Sequence, residues 1–245
     1  MDAKTGQILY SHAPDRVAQP ASTIKILTGL IAMKSLRDST TVSVSRKASK
    51  MPRSKIYLRK GTQYKANDLI NAVLLSSAND ASVALAEKIA GSEHVFTKLM
   101  NRKARELGAK STICKSATGL TVRGQRSSVR DLAIIFNGAM NVPEFAKRIR
   151  RVKTKTSYGK TLSNHNKALW RINGARGGKT GYTHAARQTY VGRFSRKGVD
   201  LTVAIMGSET MWDDISHLVE FGFARNNFLA EQRRNLPAMA VVSLY

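Results

Sequence analysis

Cysteine is almost absent from this chain of 245 residues, in which Cys114 is the only one. A lone cysteine cannot form an internal disulfide, so the cysteine content does not reveal the redox compartment. Cys114 lies in the alternating stretch 111–114, which is typical of a strand, and no histidine adjoins it. We therefore expect a small buried residue at this position rather than a nucleophile.

Acidic residues are also scarce, since 16 aspartates and glutamates accompany 41 lysines and arginines and leave a formal charge of +25. Such a charge attracts polyanions, so nucleic acid has to be considered. The basic residues are spread along the chain, however, and no zinc-finger spacing or RNP-like aromatic motif accompanies the densest cluster, residues 147–155. We expect no specific nucleic-acid partner, and a solvated basic face or a contact to anionic cell-envelope polymer fits this charge better.

Long apolar runs are missing as well. No stretch approaches the roughly 18 residues that span a bilayer, and no amino-terminal segment has the pattern of a secretory leader. With 42% hydrophobic residues, the chain can bury a core as one large domain or as two closely packed lobes, and we expect it to be soluble. It begins abruptly at residues 1–6, within a predicted strand and turn, so we expect a trimmed polypeptide and do not exclude secretion.

Apolar periodicity predicts several helices in the middle of the chain. From Ser22 onward the apolar positions are too dense for a one-sided surface helix, which predicts a buried helix with Ser22 in its first turn. Asn67 is the expected cap of the next long helix, and Ser127 or Ser128 is the expected cap of a later one. Further helices are predicted at residues 83–90 with a stop at Gly91, at 95–107 with a stop at Gly108, and at 213–229.

Strands are predicted on both sides of these helices. Residues 7–10 suit the second strand of a hairpin, residues 41–45 suit a short strand, and the basic stretch 46–59 is expected to be irregular.

After a glycine-rich turn at residues 174–178, strands at 189–194 and 201–206 are predicted to form an antiparallel hairpin that turns near Lys197. Residues 238–244 resemble a last strand or the start of a following segment. Strands at both ends of a helical middle predict an α/β (α+β) fold, in which an α/β lobe carries a helical insertion.

A hydroxyl and an amine lie one helical turn apart at the start of the first predicted helix. A serine becomes a good nucleophile when a base takes its proton, and a lysine can be that base if desolvation or a nearby cation lowers its pKa. Residues three apart on a helix share a face, so Ser22 and Lys25 satisfy this geometry. Alone, this S-x-x-K spacing is a weak signal in a chain so rich in serine and lysine.

Two later motifs strengthen the signal because they supply complementary groups. Ser77 and Asn79 lie between two predicted helices, where a loop can direct a hydroxyl and an amide into a cleft. Lys179, Thr180 and Gly181 lead into a strand, where an ammonium, a hydroxyl and a bare backbone can hold an anionic substrate end. Taken singly, each residue also fits an ordinary role as a helix cap, a turn former or a solvated charge.

Together the three motifs, in this order, resemble the S-x-x-K, S-D-N and K-T-G motifs of penicillin-binding proteins. The chain is similar to the low-molecular-weight members, the D-alanyl-D-alanine carboxypeptidase family, over nearly its whole length. Further matching segments are residues 2–6, the block 61–81, residues 118–120, and Asn164-His165-Asn166.

The resemblance implies acyl transfer through a serine ester. Ser22 is expected to attack the carbonyl between two D-alanines of a peptidoglycan stem peptide, with Lys25 as the base. Ser77 is expected to relay a proton toward the leaving amine, and Asn79 is expected to position both Lys25 and the substrate amide.

The resemblance also implies how the substrate is held. Lys179 and Thr180 are expected to bind its terminal carboxylate, beside the bare backbone of Gly181. The backbone N–H groups of Ser22 and Tyr182 are expected to bind the oxyanion. No metal or other cofactor is expected, and β-lactam antibiotics are expected covalent inhibitors.

The fold implied by the resemblance is that of β-lactamases and penicillin-binding proteins. It has an antiparallel sheet of about five strands, flanked by helices, with an inserted helical lobe. We expect one catalytic domain over residues 1–245, with the helical lobe at about 22–145 and the α/β lobe formed by 1–21 and about 146–245. The family's substrate implies a periplasmic or other extracytoplasmic location.

Two positions depart from the family pattern. Family members usually carry Ala-Gly shortly after K-T-G, whereas Ala186 is followed here by Arg187, so a large cation replaces a glycine. No arginine follows Gly207, where many relatives have one near the start of the last helix. We predict that Arg187 alters recognition of the substrate end or partly blocks the cleft.

Three other functions fit parts of the sequence. A β-lactamase needs efficient deacylation, but no E-x-x-L-N segment follows the second motif, and Glu144 stands without the asparagine. A catalytically weak homologue that holds cell-wall polymer would use the net charge and would show steep salt dependence without peptide turnover. A nucleic-acid-binding protein would show a salt-resistant preference for one sequence.

Overall fold

Helices fill the first two thirds of the chain and the longest strands follow them. The computed structural model describes residues 1–235. The helical elements of this part are a 3-10 turn at Ala21–Ile24, α1 (Lys25–Ser35), α2 (Arg46–Ser49), α3 (Ala66–Leu74), α4 (Asn79–Ala90), α5 (Glu93–Glu106), α6 (Val129–Met140), α7 (Pro143–Ile149), α8 (Ala168–Arg171) and α9 (Met211–Asn235). The strands are β1 (Thr41–Ser43), β2 (Gln63–Lys65), β3 (Lys153–Lys155), β4 (Thr161–Ser163), β5 (Ala175–Thr183), β6 (Arg187–Arg196) and β7 (Val199–Ser208).

The main sheet is antiparallel, with the strand order β5-β6-β7. The predicted hairpin is confirmed, and its turn places Lys197 and Gly198 at φ 46° and 79°, the left-handed values that a tight two-residue hairpin turn needs. The predicted glycine-rich turn is wrong for most of its length, because β5 begins at Ala175 and includes Gly177 and Gly178. The register of β5 against β6 shifts between Ala175 and Gly177.

The α+β fold is confirmed, but the main sheet has three strands within residues 1–235, fewer than the expected five. Among the described residues, only an isolated bridge from Asp2 to Leu201 extends this sheet. The strand predicted at residues 7–10 is wrong, because the chain turns back on itself first: the Asp2 N–H donates to the Gln7 carbonyl, and the Asp2 carboxylate accepts the Thr5 N–H at 2.7 Å.

Two small ladders flank the helices. β1 pairs with β2 and confirms the short strand predicted at residues 41–45, while β3 pairs with β4. The stretch 46–59 is not wholly irregular, since α2 opens it. Ser45 caps this helix by accepting the Ala48 N–H at 3.0 Å, a local signal that periodicity alone does not reveal.

The helix predictions are confirmed for α1, α3, α4, α5, α6 and α9, with shifted boundaries. Gly91 ends α4 at φ 72°, and Ser128 caps α6 by accepting the Asp131 N–H. Asn67 is not a cap, because Lys65 holds that position in α3. The Asn67 side chain instead accepts from Arg148 across the helical packing.

Buried apolar side chains form two clusters. The larger one unites the helices α1, α3, α4, α5 and α6, and the smaller one lies between the main sheet and α9. We propose that these clusters are the cores of the two predicted lobes. α9 is longer than predicted, and the segment 238–244 lies outside the described residues. Among the helices of residues 1–235, none combines the length and the apolar character that a membrane crossing requires.

Cys114 is fully buried, but the predicted strand around it does not form. The side chain of Asn101 hydrogen-bonds both backbone groups of Cys114. It accepts from the Cys114 N–H at 2.7 Å and donates to the Cys114 carbonyl at 3.0 Å. Burial raises the pKa of the thiol to about 12, which disfavours the nucleophilic thiolate. The expectation of a buried residue at this position is confirmed.

Candidate active site

A cleft of about 400 Å³ lies where the start of the first helix meets strand β5 and the turn between α3 and α4. Ser22, Ser77, Asn79 and Thr180 all line it, although they come from three distant parts of the chain. The sequence-predicted motifs therefore meet in one place.

Lys25 lies beneath Ser22, fully buried at the first position of α1. Its Nζ donates to Ser22 Oγ at 2.9 Å, to Asn79 Oδ1 at 2.7 Å and to the Thr118 carbonyl at 2.5 Å. The 3-10 turn places both side chains on one face, as the three-residue spacing predicts. An amine held this close to a hydroxyl is placed to take its proton once the amine is neutral.

The two buried lysines of the cleft have lowered pKa values. Burial lowers the pKa of Lys25 well below its ordinary value, the positive charge of Lys179 lowers it further, and the Asp80 carboxylate opposes the shift. Burial alone lowers the pKa of Lys179 to about 7. Burial and the neighbouring Lys179 charge therefore both favour the neutral amine of Lys25.

Ser77 lies in the short connection between α3 and α4, with φ at 56°. A non-glycine residue in this region is strained, and such strain clusters at functional sites. Its Oγ accepts from Lys179 Nζ at 2.9 Å, and the same ammonium donates to the Thr180 carbonyl at 2.8 Å. Ser77, Lys179 and Thr180 thus form one polar group at the cleft wall.

Asn79, the first residue of α4, hydrogen-bonds both Lys25 and the loop that contains Pro52 and Arg53. Its Oδ1 accepts from Lys25, while its Nδ2 donates to the carbonyls of Pro52 and Arg53 at 3.1 and 3.0 Å. The geometry supports the predicted positioning of Lys25. Both amide protons are committed, so the predicted contact to the substrate amide would use the second lone pair of Oδ1 to accept a substrate N–H, and it stays a prediction.

Gly181 lets β5 approach the nucleophile closely. A Cβ added there would lie 2.7 Å from the Ser22 backbone nitrogen and 2.5 Å from Thr189 Oγ1, both closer than real contacts. The residue therefore has to be glycine if β5 and the Ser22 turn keep this spacing. Tyr182, the next residue, lines the cleft, and the oxyanion role of its N–H stays a prediction.

Arg187 lies at the start of β6 and outside the described cleft lining, with its side chain half-exposed. Its guanidinium pairs with Glu209 at 2.5 Å, and the next residue, Gln188, does line the cleft. Trp212 also lines the cleft near the position of the missing late arginine. An influence of Arg187 on the substrate would thus act through the part of the cleft lined by Gln188 and Trp212, and it stays a prediction.

Replacing Arg187 by glycine tests that prediction. We expect a change in the KM for a peptide ending in D-Ala-D-Ala, because the substitution removes a cation and leaves Glu209 unpaired beside the cleft. The backbone should tolerate it, since Arg187 has φ 55°, which glycine adopts more easily. Steady-state kinetics of the variant and the parent give the answer, and identical kcat and KM would contradict any role in recognition.

Several residues of the cleft lining are absent from the set predicted from the sequence. Arg53 and Ser54 gave no signal because they lie in a stretch without periodicity. His165 belongs to a matching motif but was assigned no role. Partial desolvation, followed by the charges of Lys179 and Lys25, lowers the pKa of His165 to about 4, so its imidazole is neutral at neutral pH.

The Peptidase S11 family, described as D-alanyl-D-alanine carboxypeptidase, matches residues 1–210. The chain belongs to this family. The predicted resemblance is therefore confirmed over most of its length.

Two curated relatives carry the same family description in their names. The D-alanyl-D-alanine carboxypeptidase DacB2 of Mycobacterium tuberculosis is 36% identical over 236 residues, which cover 92% of this chain and 81% of the relative. The D-alanyl-D-alanine carboxypeptidase DacF of Bacillus subtilis is 31% identical over 257 residues, covering 96% of this chain but only 64% of the relative.

Solved structures of the family have the same fold. A penicillin-binding protein homologue from M. tuberculosis superposes with a TM-score of 0.86 at 35% identity, covering 91% of this chain and 89% of that one. Penicillin-binding protein D2 from Listeria monocytogenes, solved in its cefotaxime-bound form, gives a TM-score of 0.83 at 28% identity, covering 91% and 94%. The predicted penicillin-binding-protein fold is confirmed.

The two lysines predict how acylation depends on pH. The rate should rise with pH while Lys25 loses its proton, because only the neutral amine can serve as the predicted base. It should fall again as Lys179, whose pKa is about 7, loses the charge that we expect to bind the substrate carboxylate. We expect a bell-shaped dependence of kcat/KM, which reports the free enzyme. A value of kcat/KM that does not decline on the alkaline side would contradict the role of Lys179.

Proposed function

We propose that this protein is a serine-type D-alanyl-D-alanine carboxypeptidase, which trims peptidoglycan stem peptides through an acyl-enzyme on Ser22. The observation that carries the proposal is the contact of 2.9 Å between Lys25 Nζ and Ser22 Oγ at the base of the cleft. Burial has already lowered the pKa of this lysine, so the amine is suited to act as a base.

In the first half-reaction, Ser22 Oγ attacks the carbonyl between the two D-alanines while Lys25 takes the hydroxyl proton. The tetrahedral oxyanion lies between the backbone N–H groups of Ser22 and Tyr182, and loss of one such donor typically costs about 2.7–4 kcal/mol. The amide bond then breaks, and the proton that Lys25 took passes through Ser77 to the amine of the departing D-alanine, which leaves Lys25 neutral again. Ser22 is left as an ester of the shortened peptide.

In the second half-reaction, water attacks this ester and restores the Ser22 hydroxyl. Lys25 accepts a proton from the attacking water and passes it to the Ser22 oxygen as the ester bond breaks. The shortened peptide then leaves with a new terminal carboxylate.

The polar group at the cleft wall explains how the terminal carboxylate is selected. Lys179 presents its ammonium there together with the hydroxyl groups of Ser77 and Thr180. A charge-assisted contact to a carboxylate is stronger than one between neutral groups. A peptide whose last residue is amidated should therefore be a poor substrate.

We also propose that β-lactams acylate Ser22, as expected for a family in which ampicillin-bound and cefotaxime-bound structures of a penicillin-binding protein exist. Because peptidoglycan lies outside the cytoplasm, we propose that the protein acts there, in a periplasm or at the outer cell surface. No role as a β-lactamase is proposed, because Glu144 is exposed on α7 and does not line the described cleft.

Release of D-alanine from a peptide ending in D-Ala-D-Ala tests the proposed function, with a peptide ending in D-Ala-L-Ala as the stereochemical control. We expect release from the first peptide only, together with covalent labelling by a fluorescent penicillin. Labelling and peptide binding without release would favour the alternative of a catalytically weak homologue that holds cell-wall polymer, for which the charge of +25 is the supporting observation.

A further inference from the structure

We propose that Arg53 forms a subsite of this cleft that binds a second carboxylate of the substrate, carried by the acyl part of the stem peptide. The inference rests on the proposed function and deepens it. It assigns the cleft a preference among stem peptides for those with a free carboxylate near the terminal dipeptide, over those in which this group is a neutral carboxamide.

Charge singles out Arg53. Among the described residues that line the cleft it is the only arginine or lysine, and none of them is an aspartate or a glutamate. Its guanidinium also has no hydrogen-bond or ion-pair partner within residues 1–235. Arg53 is exposed, and its position in the cleft lining distinguishes it from the other arginines of residues 1–235 that have no carboxylate partner. Besides the buried ammonium of Lys179, which is assigned to the terminal carboxylate, the Arg53 guanidinium is therefore a second cation available to the contents of the cleft.

The backbone that carries Arg53 is fixed by the start of α4. Asn79 Nδ2 donates to the Arg53 carbonyl, and the Asn79 N–H donates to the Ser54 carbonyl at 2.7 Å. The buried Asp80 carboxylate accepts the Ile56 N–H at 3.1 Å, which holds the loop on its other side. A loop held from three points presents its side chain from a constant position, and this lowers the entropy cost of binding.

The connections of Arg53 place it on the acyl side of the scissile bond. The terminal carboxylate is assigned to Lys179 and its neighbours, and the reacting carbonyl is assigned to Ser22. The backbone carbonyl of Arg53 connects through Asn79 to Lys25, so the loop that carries Arg53 lies beside the Ser22 and Lys25 part of the cleft. A peptide anchored by its terminus at Lys179 and by its carbonyl at Ser22 continues past Asn79, where the guanidinium can bind a carboxylate in bidentate fashion.

A pair of peptides tests the subsite. Both end in D-Ala-D-Ala and they differ only in the preceding residue, whose side chain carries a carboxylate in one and a carboxamide in the other. For the parent protein we expect kcat/KM to favour the carboxylate peptide by roughly 10-fold or more, as is typical of hydrogen bonds to charged groups. In Arg53→Gln this ratio should fall to about 1, mainly through KM.

Lys55→Gln is the matched control, because it removes the same charge two residues away from a side chain that stacks over Tyr57 and does not line the described cleft. This variant should keep the parent's ratio. A ratio that Arg53→Gln leaves unchanged, or that Lys55→Gln lowers equally, would overturn the assignment. An equal loss on both peptides leaves the ratio unchanged, so it would likewise contradict the subsite.

Binding measurements separate this inference from the proposed function. Fluorescence anisotropy with labelled versions of the two peptides measures their affinities without any turnover. If neither peptide is hydrolysed, the proposed function fails, yet a Kd ratio that depends on Arg53 still supports the subsite. If both peptides are hydrolysed by the parent at the same rate and bind equally well, the proposed function stands and the subsite is refuted.

Discussion

Ser22→Ala is expected to abolish covalent labelling by a fluorescent penicillin and to lower peptide turnover by roughly 10⁶-fold, the scale seen when a serine protease loses its nucleophile. Without the hydroxyl no ester can form, whereas binding in the cleft can persist. The fold should survive, because within the described residues the Ser22 side chain bonds only to Lys25 and caps no helix. Labelling is measured on a denaturing gel, and turnover by D-alanine release.

Ser54→Ala provides the control for this experiment. Ser54 also lines the cleft but has no assigned role, so its alanine variant should label like the parent. Persistent labelling of Ser22→Ala would show that another group carries the acyl chain, and it would remove the basis of the proposed mechanism.

Lys25→Met should lower the rate of penicillin acylation by about 10²–10⁴-fold, the usual contribution of a general base. Methionine fills a similar volume in this buried position but cannot accept the Ser22 proton. Stopped-flow acylation kinetics measure the loss directly. A residual rate that rises with pH, as hydroxide replaces the missing base, would fit the same explanation.

Two measurements guard against a trivial cause of this loss. Lys34→Met changes an exposed lysine on the same helix and should acylate at the parent's rate. The thermal midpoint of Lys25→Met should show a folded protein, although Asn79 and the Thr118 carbonyl lose a donor. A folded variant that acylates within about threefold of the parent at neutral pH would exclude Lys25 as the base.

The local chemistry of the site was predictable from the sequence. The three-residue spacing of Ser22 and Lys25 fixes their relation on one helical turn, and the turn at Lys197 follows from two strands that are close in sequence. The family motifs supplied the rest, because they indicated that Ser77 and Lys179 share one site, although 102 positions separate them.

What could not be predicted depends on tertiary partners. Asn67 was predicted as a cap because amides favour that position, yet in the packed structure its side chain accepts a hydrogen bond from Arg148. The alternating pattern around Cys114 predicted a strand, yet the side chain of Asn101 hydrogen-bonds both backbone groups of Cys114 that a strand would use. Arg53 lies in a stretch without periodicity, and only the fold of α4 against it brings it into the cleft.

The hydrogen bonds of Asn79 limit which residue can stand at that position. The site needs one oxygen that accepts from an ammonium and one nitrogen that donates to two carbonyl groups. Aspartate has the oxygen but would set a second oxygen against the two carbonyls, and serine or threonine has only one proton to donate. Glutamine has the same groups, but its additional methylene would shift them away from Lys25 and the carbonyl groups of Pro52 and Arg53. Asparagine is thus the one side chain that meets the chemical and the steric requirement together, and a single substitution there would disturb the base and the loop of Arg53 at once.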